Sequence, residues 1–132
     1  MACHGTASKG IDRLRIVGEQ EFRATVRVRL EREDLGHVGS VTGPGRSGAV
    51  AAVYVSHKLG VPFIPYGSPC PADLGDLLIV DTATESGKTL RKAAKRYAAH
   101  NPTVIAFFHE PPRVAFWYEA TKPQRYRHEL VA

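Results

Sequence analysis

Residues 77–90 place a carboxylate, several hydroxyls and a glycine immediately before a basic helical pattern. Four apolar residues, Leu77–Val80, end in Asp81, which is typical of a buried parallel strand that delivers a carboxylate at its C-terminal end. The stretch Ser86–Thr89 then leads into a basic, Ala-rich helical pattern at Leu90–Ala99. A turn rich in Ser, Thr and Gly at a helix N-terminus offers backbone N–H groups and the positive end of the helix dipole to phosphate. The segment therefore predicts a ligand that carries a phosphate together with hydroxyls or a metal ion.

A second glycine-bearing turn, Gly43–Gly48, precedes another helical pattern and matches G-x-G-x-x-G. A dinucleotide-binding turn of this kind also has an acid about 20 residues later. Residues 62–68 contain no acid, which argues against nicotinamide or flavin binding. Arg46 lies in this turn, at a helix N-terminus, where a cation is electrostatically disfavoured. We therefore expect Arg46 to face a bound anion.

Residues 82–89 come close to the nucleoside-triphosphatase pattern G-x-x-x-x-G-K-[ST], with Thr82 in place of the first glycine. A small P-loop hydrolase or kinase is therefore an alternative. Against it, Asp81 ends the preceding strand, where P-loop proteins normally have no acid. The later strand also ends in His109 rather than in a metal-binding aspartate.

Taken together, the two turns resemble the signatures of the type I phosphoribosyltransferases. Residues 77–90 resemble that family's phosphoribosyl-diphosphate motif: four apolar residues, two acids, a short variable stretch and a Thr-Gly-x-Thr phosphate loop. Here these parts are Leu77–Val80, Asp81-Thr82, Ala83-Thr84-Glu85 and Ser86-Gly87-Lys88-Thr89. The stretch Gly45–Gly48, followed by an Ala-rich helix and Leu59–Pro62, resembles the family's pyrophosphate-binding loop. The resemblance covers residues 37–108.

The resemblance implies a role for each part of the two motifs. Asp81 would hold the ribose hydroxyls, directly or beside Mg²⁺, and Ser86–Thr89 would bind the 5′-phosphate. Arg46 and the peptide around Ser47 would bind the leaving pyrophosphate, and Glu85 stands where purine-using members often carry an acid that handles a ring-nitrogen proton. Arg46, Asp81 and Glu85 are the predicted catalytic residues, and Asp81 is the predicted metal ligand. The predicted substrate-binding residues are Arg46, Ser47, Gly48, Asp81, Thr82, Ala83, Thr84, Glu85, Ser86, Gly87, Lys88, Thr89 and Trp117, the last as an aromatic that stacks on the nucleobase or packs on the sheet.

The implied reaction moves the 5-phosphoribosyl group from 5-phosphoribosyl 1-diphosphate (PRPP) to a nucleobase, with a purine slightly favoured by Glu85. Catalysis of such a step is mostly positioning and charge stabilisation, with Mg²⁺ and a cation on the departing diphosphate. Two departures leave a non-catalytic PRPP- or nucleotide-sensing regulator as an alternative. Thr82 stands where the family has its second acid, and only residues 67–76 are available for the loop that closes over the substrate.

The elements that must position these residues form an α/β pattern. We predict strands at His37–Thr42, Val61–Tyr66, Leu77–Asp81 and Thr103–Phe108, with helices at Ala49–Leu59 and Leu90–Ala99. This alternation predicts a twisted, mainly parallel sheet flanked by helices, with ligands at the C-terminal ends of the strands. Alternating apolar and charged residues at Arg13–Val17 and Thr25–Glu31 predict two further strands with a turn near Gly18-Glu19. For the second of these runs a helix is the alternative, because Phe22, Val26 and Leu30 have i, i+4 spacing.

The 132 residues are expected to form one domain, with a small C-terminal hood over the site at residues 109–132 together with the N-terminal strands. The net charge of +5 favours anionic ligands, here PRPP, and the basic residues Lys122, Arg125 and Arg127 are expected to be solvated rather than to bind nucleic acid. No apolar run is long enough to cross a bilayer and residues 1–5 lack the apolar core of a signal peptide, so a cytoplasmic location is expected. Cys3 and Cys70 have neither metal-like nor redox-like spacing. The family resemblance also implies a possible homodimer.

Overall fold

A computed structural model describes residues 14–110 and 113–119 of the chain. Residues 1–13, 111–112 and 120–132, which include Cys3 and the basic residues near Tyr126, lie outside the described residues. In chain order the elements are β1 (Arg15–Val17), α1 (Glu19–Glu31), β2 (Val38–Thr42), α2 (Gly45–Leu59), β3 (Asp76–Thr84), α3 (Lys88–Arg96), β4 (Thr103–His109) and β5 (Val114–Phe116). Single 3₁₀ turns at Ala72–Leu74 and Ala98–His100 precede β3 and β4.

The centre of the molecule is a three-stranded parallel sheet in the order β2-β3-β4. Strand β3 lies in the middle, and its residues Leu77, Leu78, Ile79 and Val80 are completely buried. Because successive side chains of a strand point to opposite faces, Leu78 and Val80 join the core under α1 and α2, whereas Leu77 and Ile79 join a second core under α3. The predicted parallel α/β fold with helices on both faces is confirmed.

The predicted strand at Val61–Tyr66 is reduced to one parallel bridge between Phe63 and Val41. Two backbone hydrogen bonds support it, from the Val41 N–H to the Pro62 carbonyl and from the Ile64 N–H to the Val41 carbonyl. Pro62 and Pro65 have no N–H to donate, so a continuous ladder cannot form along this segment.

The prediction of a strand at Thr25–Glu31, with a hairpin turn near Gly18-Glu19, is wrong. Gly18 instead precedes helix α1, in which Phe22, Val26 and Leu30 are buried against the sheet. The period-two pattern had grouped Val28 with Val26 and Leu30, but the side chain of Val28 is 42% exposed. The i, i+4 spacing was therefore the correct one, and the ion pair between Arg29 and Glu33 follows the same helical period.

The hood differs from the expected pair of N-terminal strands. One N-terminal strand, β1, pairs in parallel with β5, with Ile16 opposite Ala115. Aromatic rings fix this small sheet to the core: Phe22 contacts both Phe116 and Trp117, at centroid distances of 5.8 and 5.7 Å. Residues 14–17 and 113–119 thus cover one end of the parallel sheet.

In residues 14–110 and 113–119, no helix combines the length and the apolar character needed to cross a membrane.

Candidate functional site

An open cleft of about 390 Å³ lies between the first turn of α2, the C-terminal end of β3 and the hood. Its lining residues are Pro44, Gly45, Arg46, Ser47, Asp81, Thr82, Ala83, Glu110, Val114, Phe116 and Glu119. A larger groove of about 550 Å³ between α1 and α2 is lined by basic, amide and aromatic groups without a carboxylate. The smaller cleft combines Arg46, Asp81 and the N-terminus of α2 beside the central strand, so it is the candidate site.

Strand β3 carries Asp81 into this cleft and continues beyond it. In the register with β4, Asp81 lies opposite Ala106, and the pairing goes on to Thr84 opposite His109. The backbone N–H of Thr82 donates a hydrogen bond of 2.8 Å to Oδ1 of Asp81. Burial raises the pKa of Asp81 to about 6, and the hydrogen bonds from Thr82 offset only part of that effect. The carboxylate is thus held in a fixed orientation, but its hydrogen bonds offset only part of the cost of burying its charge.

The first turn of α2 approaches β3 backbone to backbone. A Cβ atom on Gly43 would lie 2.0 Å from the carbonyl oxygen of Gly48 and 2.8 Å from that of Val80, so a glycine is required there. This contact brings the N-terminus of α2 beside the end of β3. Arg46 is exposed in this turn, and no acidic residue lies in it. The turn therefore presents a guanidinium and the positive end of the helix dipole to the cleft.

The described residues contain no group of three or more His, Cys, Asp or Glu side chains that could hold a metal ion, and the carboxylates of the cleft are the charged oxygen donors present. Glu110 and Glu119 each use one carboxylate oxygen within the hood, accepting hydrogen bonds of 3.0 Å from the backbone N–H groups of Val114 and Phe116. Asp81 is the carboxylate on β3, and burial raises its pKa. Mg²⁺ is commonly held by one or two carboxylates together with waters and substrate phosphates, and Asp81 supplies the first of these.

The predicted phosphate loop at the start of α3 has its own anion-binding features. Gly87 has φ +78°, a conformation that favours glycine, and its N–H donates to Oγ1 of Thr84 at 2.9 Å. The first turn of α3 contains no acid, and the N–H groups of Thr89 and Leu90 have no acceptor within the helix. Arg91 reaches back over the turn, where its Nη1 donates to the carbonyl oxygen of Ser86 at 3.0 Å. Helix dipole, N–H groups and guanidinium together suit a phosphate.

The cleft brings part of the predicted set together. Arg46, Ser47, Asp81, Thr82 and Ala83 line it. Gly48 is buried behind the first turn of α2, and residues 84–89 continue from the same strand into the α3 turn without lining the cleft.

Trp117, predicted to stack on a nucleobase or to pack on the sheet, lies against the core. Its ring is 5.7 Å from that of Phe22 and 6.3 Å from that of Tyr54. It is not among the residues that line the cleft, whereas its neighbours Phe116 and Glu119 are.

The structure adds functional candidates that the sequence alone did not identify: Glu110, Glu119, Tyr118 and Arg91. The first three belong to the hood, whose placement depends on the pairing of β1 with β5. Arg91 had a recognisable signal, since it lies four residues after Gly87 and hence one helical turn above the phosphate loop.

The geometry disfavours the P-loop alternative. A P-loop holds its phosphates with backbone N–H groups all along G-x-x-x-x-G. Here Ala83 and Thr84 remain paired with β4, at Phe108 and His109, so only a short turn is left before α3. The segment therefore cannot form that cradle.

No protein-family model and no curated protein sequence matches the chain. Solved structures do match. A purine phosphoribosyltransferase from Pyrococcus horikoshii Ot3 superimposes with a TM-score of 0.63 and 18% identity, over 79% of this chain and 93% of that one. A xanthine-guanine-hypoxanthine phosphoribosyltransferase from Helicobacter pylori gives a TM-score of 0.66 and 13% identity, over 87% and 98%. A hypothetical protein from Neisseria gonorrhoeae with bound ppGpp gives 0.66 and 12%, over 89% and 98%. The chain is similar to phosphoribosyltransferases in fold.

Proposed function

We propose that this chain is a Mg²⁺-dependent phosphoribosyltransferase that transfers the 5-phosphoribosyl group from PRPP to a nucleobase and releases pyrophosphate. The observation that carries the proposal is the single cleft shared by Arg46 at the N-terminus of α2 and Asp81 at the end of β3. The α3 turn at Gly87 follows the C-terminal end of β3, the strand that carries Asp81. Together these features suit a sugar that carries an anion at each end.

In the proposed reaction a ring nitrogen of the base forms a bond to the anomeric carbon as the bond from that carbon to the diphosphate oxygen breaks. The bonding electron pair leaves with pyrophosphate, and the base nitrogen loses its proton. Arg46, with the dipole of α2, stabilises the charge that develops on the diphosphate. Asp81 orients the ribose hydroxyls, and the α3 turn fixes the 5′-phosphate, so that the reacting atoms are held in place. Glu85, exposed just after β3 and outside the lining of the cleft, is assigned the proton of the base on the strength of the family resemblance alone.

When bound at Asp81, Mg²⁺ supplies additional charge neutralisation for the diphosphate. A purine base is the favoured acceptor, on the basis of Glu85.

A non-catalytic sensor of PRPP or a related nucleotide is the second candidate. Two observations favour it: Thr82 stands beside Asp81 in place of a second acid, and one structure of similar fold contains ppGpp. In this alternative the same cleft binds its ligand, but no base is used.

A panel of bases separates the two candidates. Purified protein with PRPP and Mg²⁺ is incubated with adenine, guanine, hypoxanthine, xanthine, uracil or orotate, and pyrophosphate release is measured, with Asp81→Asn as the inactive control. We expect release with at least one purine. Stabilisation by PRPP in a thermal-shift assay without release from any base would favour the sensor. Stabilisation by ATP but not by PRPP would exclude both.

A further inference from the structure

The hydroxyl groups of Ser47 and Tyr118 share a hydrogen bond of 3.1 Å. Ser47 lies in the first turn of α2, and Tyr118 follows β5 in the hood. We infer that Tyr118 is a positioning residue: its hydroxyl holds the side chain of Ser47 so that Ser47 can donate to the diphosphate of the substrate. The inference rests on the proposed function, and it names a contact that joins the hood to the diphosphate end of the cleft.

Tyr118 lies beside the cleft, close enough to Asp81 and Thr82 for both residues to affect its pKa. Ser47 is a lining residue and Tyr118 is not, although the tyrosine side chain is half-buried. Burial raises the pKa of Tyr118, and the hydrogen bond with Ser47 only partly opposes this effect. The phenol is therefore neutral at physiological pH and retains a proton that it can donate.

Either hydroxyl can donate in the shared hydrogen bond, and an anion in the cleft favours the direction in which Ser47 accepts from Tyr118. A hydroxyl has one proton and two acceptor sites. If the Tyr118 O–H donates to Oγ of Ser47, the proton of Ser47 is free to point into the cleft. A diphosphate accepts such a proton strongly, because hydrogen bonds to ionised groups are about twice as strong as those between neutral groups.

The hood holds Tyr118 firmly enough for this role. Its ring stacks on Phe116 with a centroid distance of 6.0 Å and an interplanar angle of 13°. The ring of Trp117 meets it edge-on at 4.9 Å. Phe116 is itself buried in the core that includes Phe22. Because these rings keep the phenol in place without its hydroxyl, removal of that hydroxyl alone leaves the packing intact.

The test is a double-mutant cycle on Tyr118→Phe and Ser47→Ala, with binding of inorganic pyrophosphate in the presence of Mg²⁺ measured by calorimetry. Ser47→Ala should bind pyrophosphate about tenfold more weakly, since it removes a hydrogen bond to an ionised group, and Tyr118→Phe about fivefold more weakly, since it removes a typical hydrogen bond. The double variant should be no weaker than Ser47→Ala alone, because Tyr118 acts only through Ser47. The Michaelis constant for PRPP should rise in each single variant, and it should be no higher in the double variant than in Ser47→Ala. The Michaelis constant for the base should not change.

Tyr54→Phe is the matched control, because it removes a tyrosine hydroxyl that donates to Glu19 at 2.8 Å, away from the cleft. It should leave pyrophosphate affinity unaltered. Wild-type affinity in Tyr118→Phe, or additive losses in the double variant, would overturn the inference even if the enzyme is active. The predicted coupling without turnover of any base would retain the inference and reject the transferase. A wild-type protein that does not bind pyrophosphate would reject the inference.

Discussion

The backbone N–H of Thr82 donates a 2.8 Å hydrogen bond to Oδ1 of Asp81, the residue immediately before it. This contact fixes the carboxylate at the end of a buried strand, beside the first turn of α2. Burial nevertheless raises the pKa of Asp81 to about 6. An acid retained in such an unfavourable environment is characteristic of functional sites.

Asp81→Asn should lower the rate of pyrophosphate release by about a hundredfold or more, because it removes the charge that orients the ribose and metal. The fold should persist, since the Asn carbonyl can still accept from the Thr82 N–H. Steady-state kinetics and circular dichroism on the same samples test both statements. Activity close to that of the wild type would show that the ribose does not bind at Asp81.

The same substitution should stabilise the metal-free protein at neutral pH. Because the pKa of Asp81 is raised in the folded state from 3.8 to about 6, the folded protein binds the proton more tightly than the unfolded chain does. The stability contributed by this group is therefore complete below pH 4 and falls as the pH rises towards 6. Melting temperatures in EDTA should be equal for wild type and Asp81→Asn below pH 4. Above pH 6 the variant should melt higher, and a lower melting temperature there would contradict the assigned pKa.

Arg46→Ala should weaken binding of inorganic pyrophosphate about tenfold or more, since a hydrogen bond to an ionised group contributes roughly that much. Binding of ribose 5-phosphate, which has no diphosphate, should change little. Arg27→Ala is the control, because Arg27 is an exposed arginine on α1 that does not line the cleft. An equal loss for both ligands would mean that Arg46 acts on the whole site rather than on the diphosphate.

Gly87→Ala should weaken binding at the 5′-phosphate end of the substrate, whereas Arg46→Ala weakens binding at the diphosphate end. The φ of +78° at Gly87 strains any other residue, and the new Cβ would lie 3.2 Å from Nη1 of Arg91. We expect weaker binding of ribose 5-phosphate with pyrophosphate binding retained. Gly60→Ala provides a matched control at φ +70°, with open space around the new Cβ at the C-terminus of α2. Both variants should lose about 1 kcal/mol of stability, but only Gly87→Ala should bind ribose 5-phosphate more weakly.

Trp117→Leu should affect stability more than substrate binding. The indole packs on Phe22 and Tyr54, so truncation should cost roughly 2–4 kcal/mol in the free energy of unfolding, as for other large-to-small changes in a core. Denaturant melts measure this loss, and the Michaelis constant for the base should remain within about twofold because a residue outside the cleft has little direct effect on its ligand. A large rise in that constant with unchanged stability would restore the stacking role.

The parts of the fold that follow from local pattern were predictable. Leu77–Val80 is predictable as a buried strand because all four residues are apolar. The spacing of the glycines predicts the turns before α2 and α3. Helix α1 was not, because apolar residues at positions 22, 26, 28 and 30 satisfy a period of two and a period of 3.6 over so short a stretch. The two periods differ in where they place Val28: a period of two buries it with Val26 and Leu30, whereas a period of 3.6 turns it towards solvent.

A hood of N-terminal and C-terminal residues was predicted, but its strand pairing could not be, because that pairing depends on contacts between distant parts of the chain. Arg15 pairs with Val114, and Ser47 bonds to Tyr118, at a separation of 71 residues. The alternation at Arg13–Val17 predicts a strand that includes β1, whereas Val114–Phe116 has almost no periodic signal. The roles of Glu110 and Glu119 at the cleft, and of the tyrosine that bonds to Ser47, could therefore not be predicted before the parallel pairing of β1 with β5 was known.

The close passage of Gly43 against Gly48 and Val80 also determines where substrate preference can change. No side chain fits between these backbones, so amino-acid replacement there would force apart the helix and the strand that together form the cleft. At the hood rim, Val114 and Glu119 border the same space and lie outside this crossing. Libraries intended to alter the accepted base should randomise that rim and keep the glycine crossing invariant.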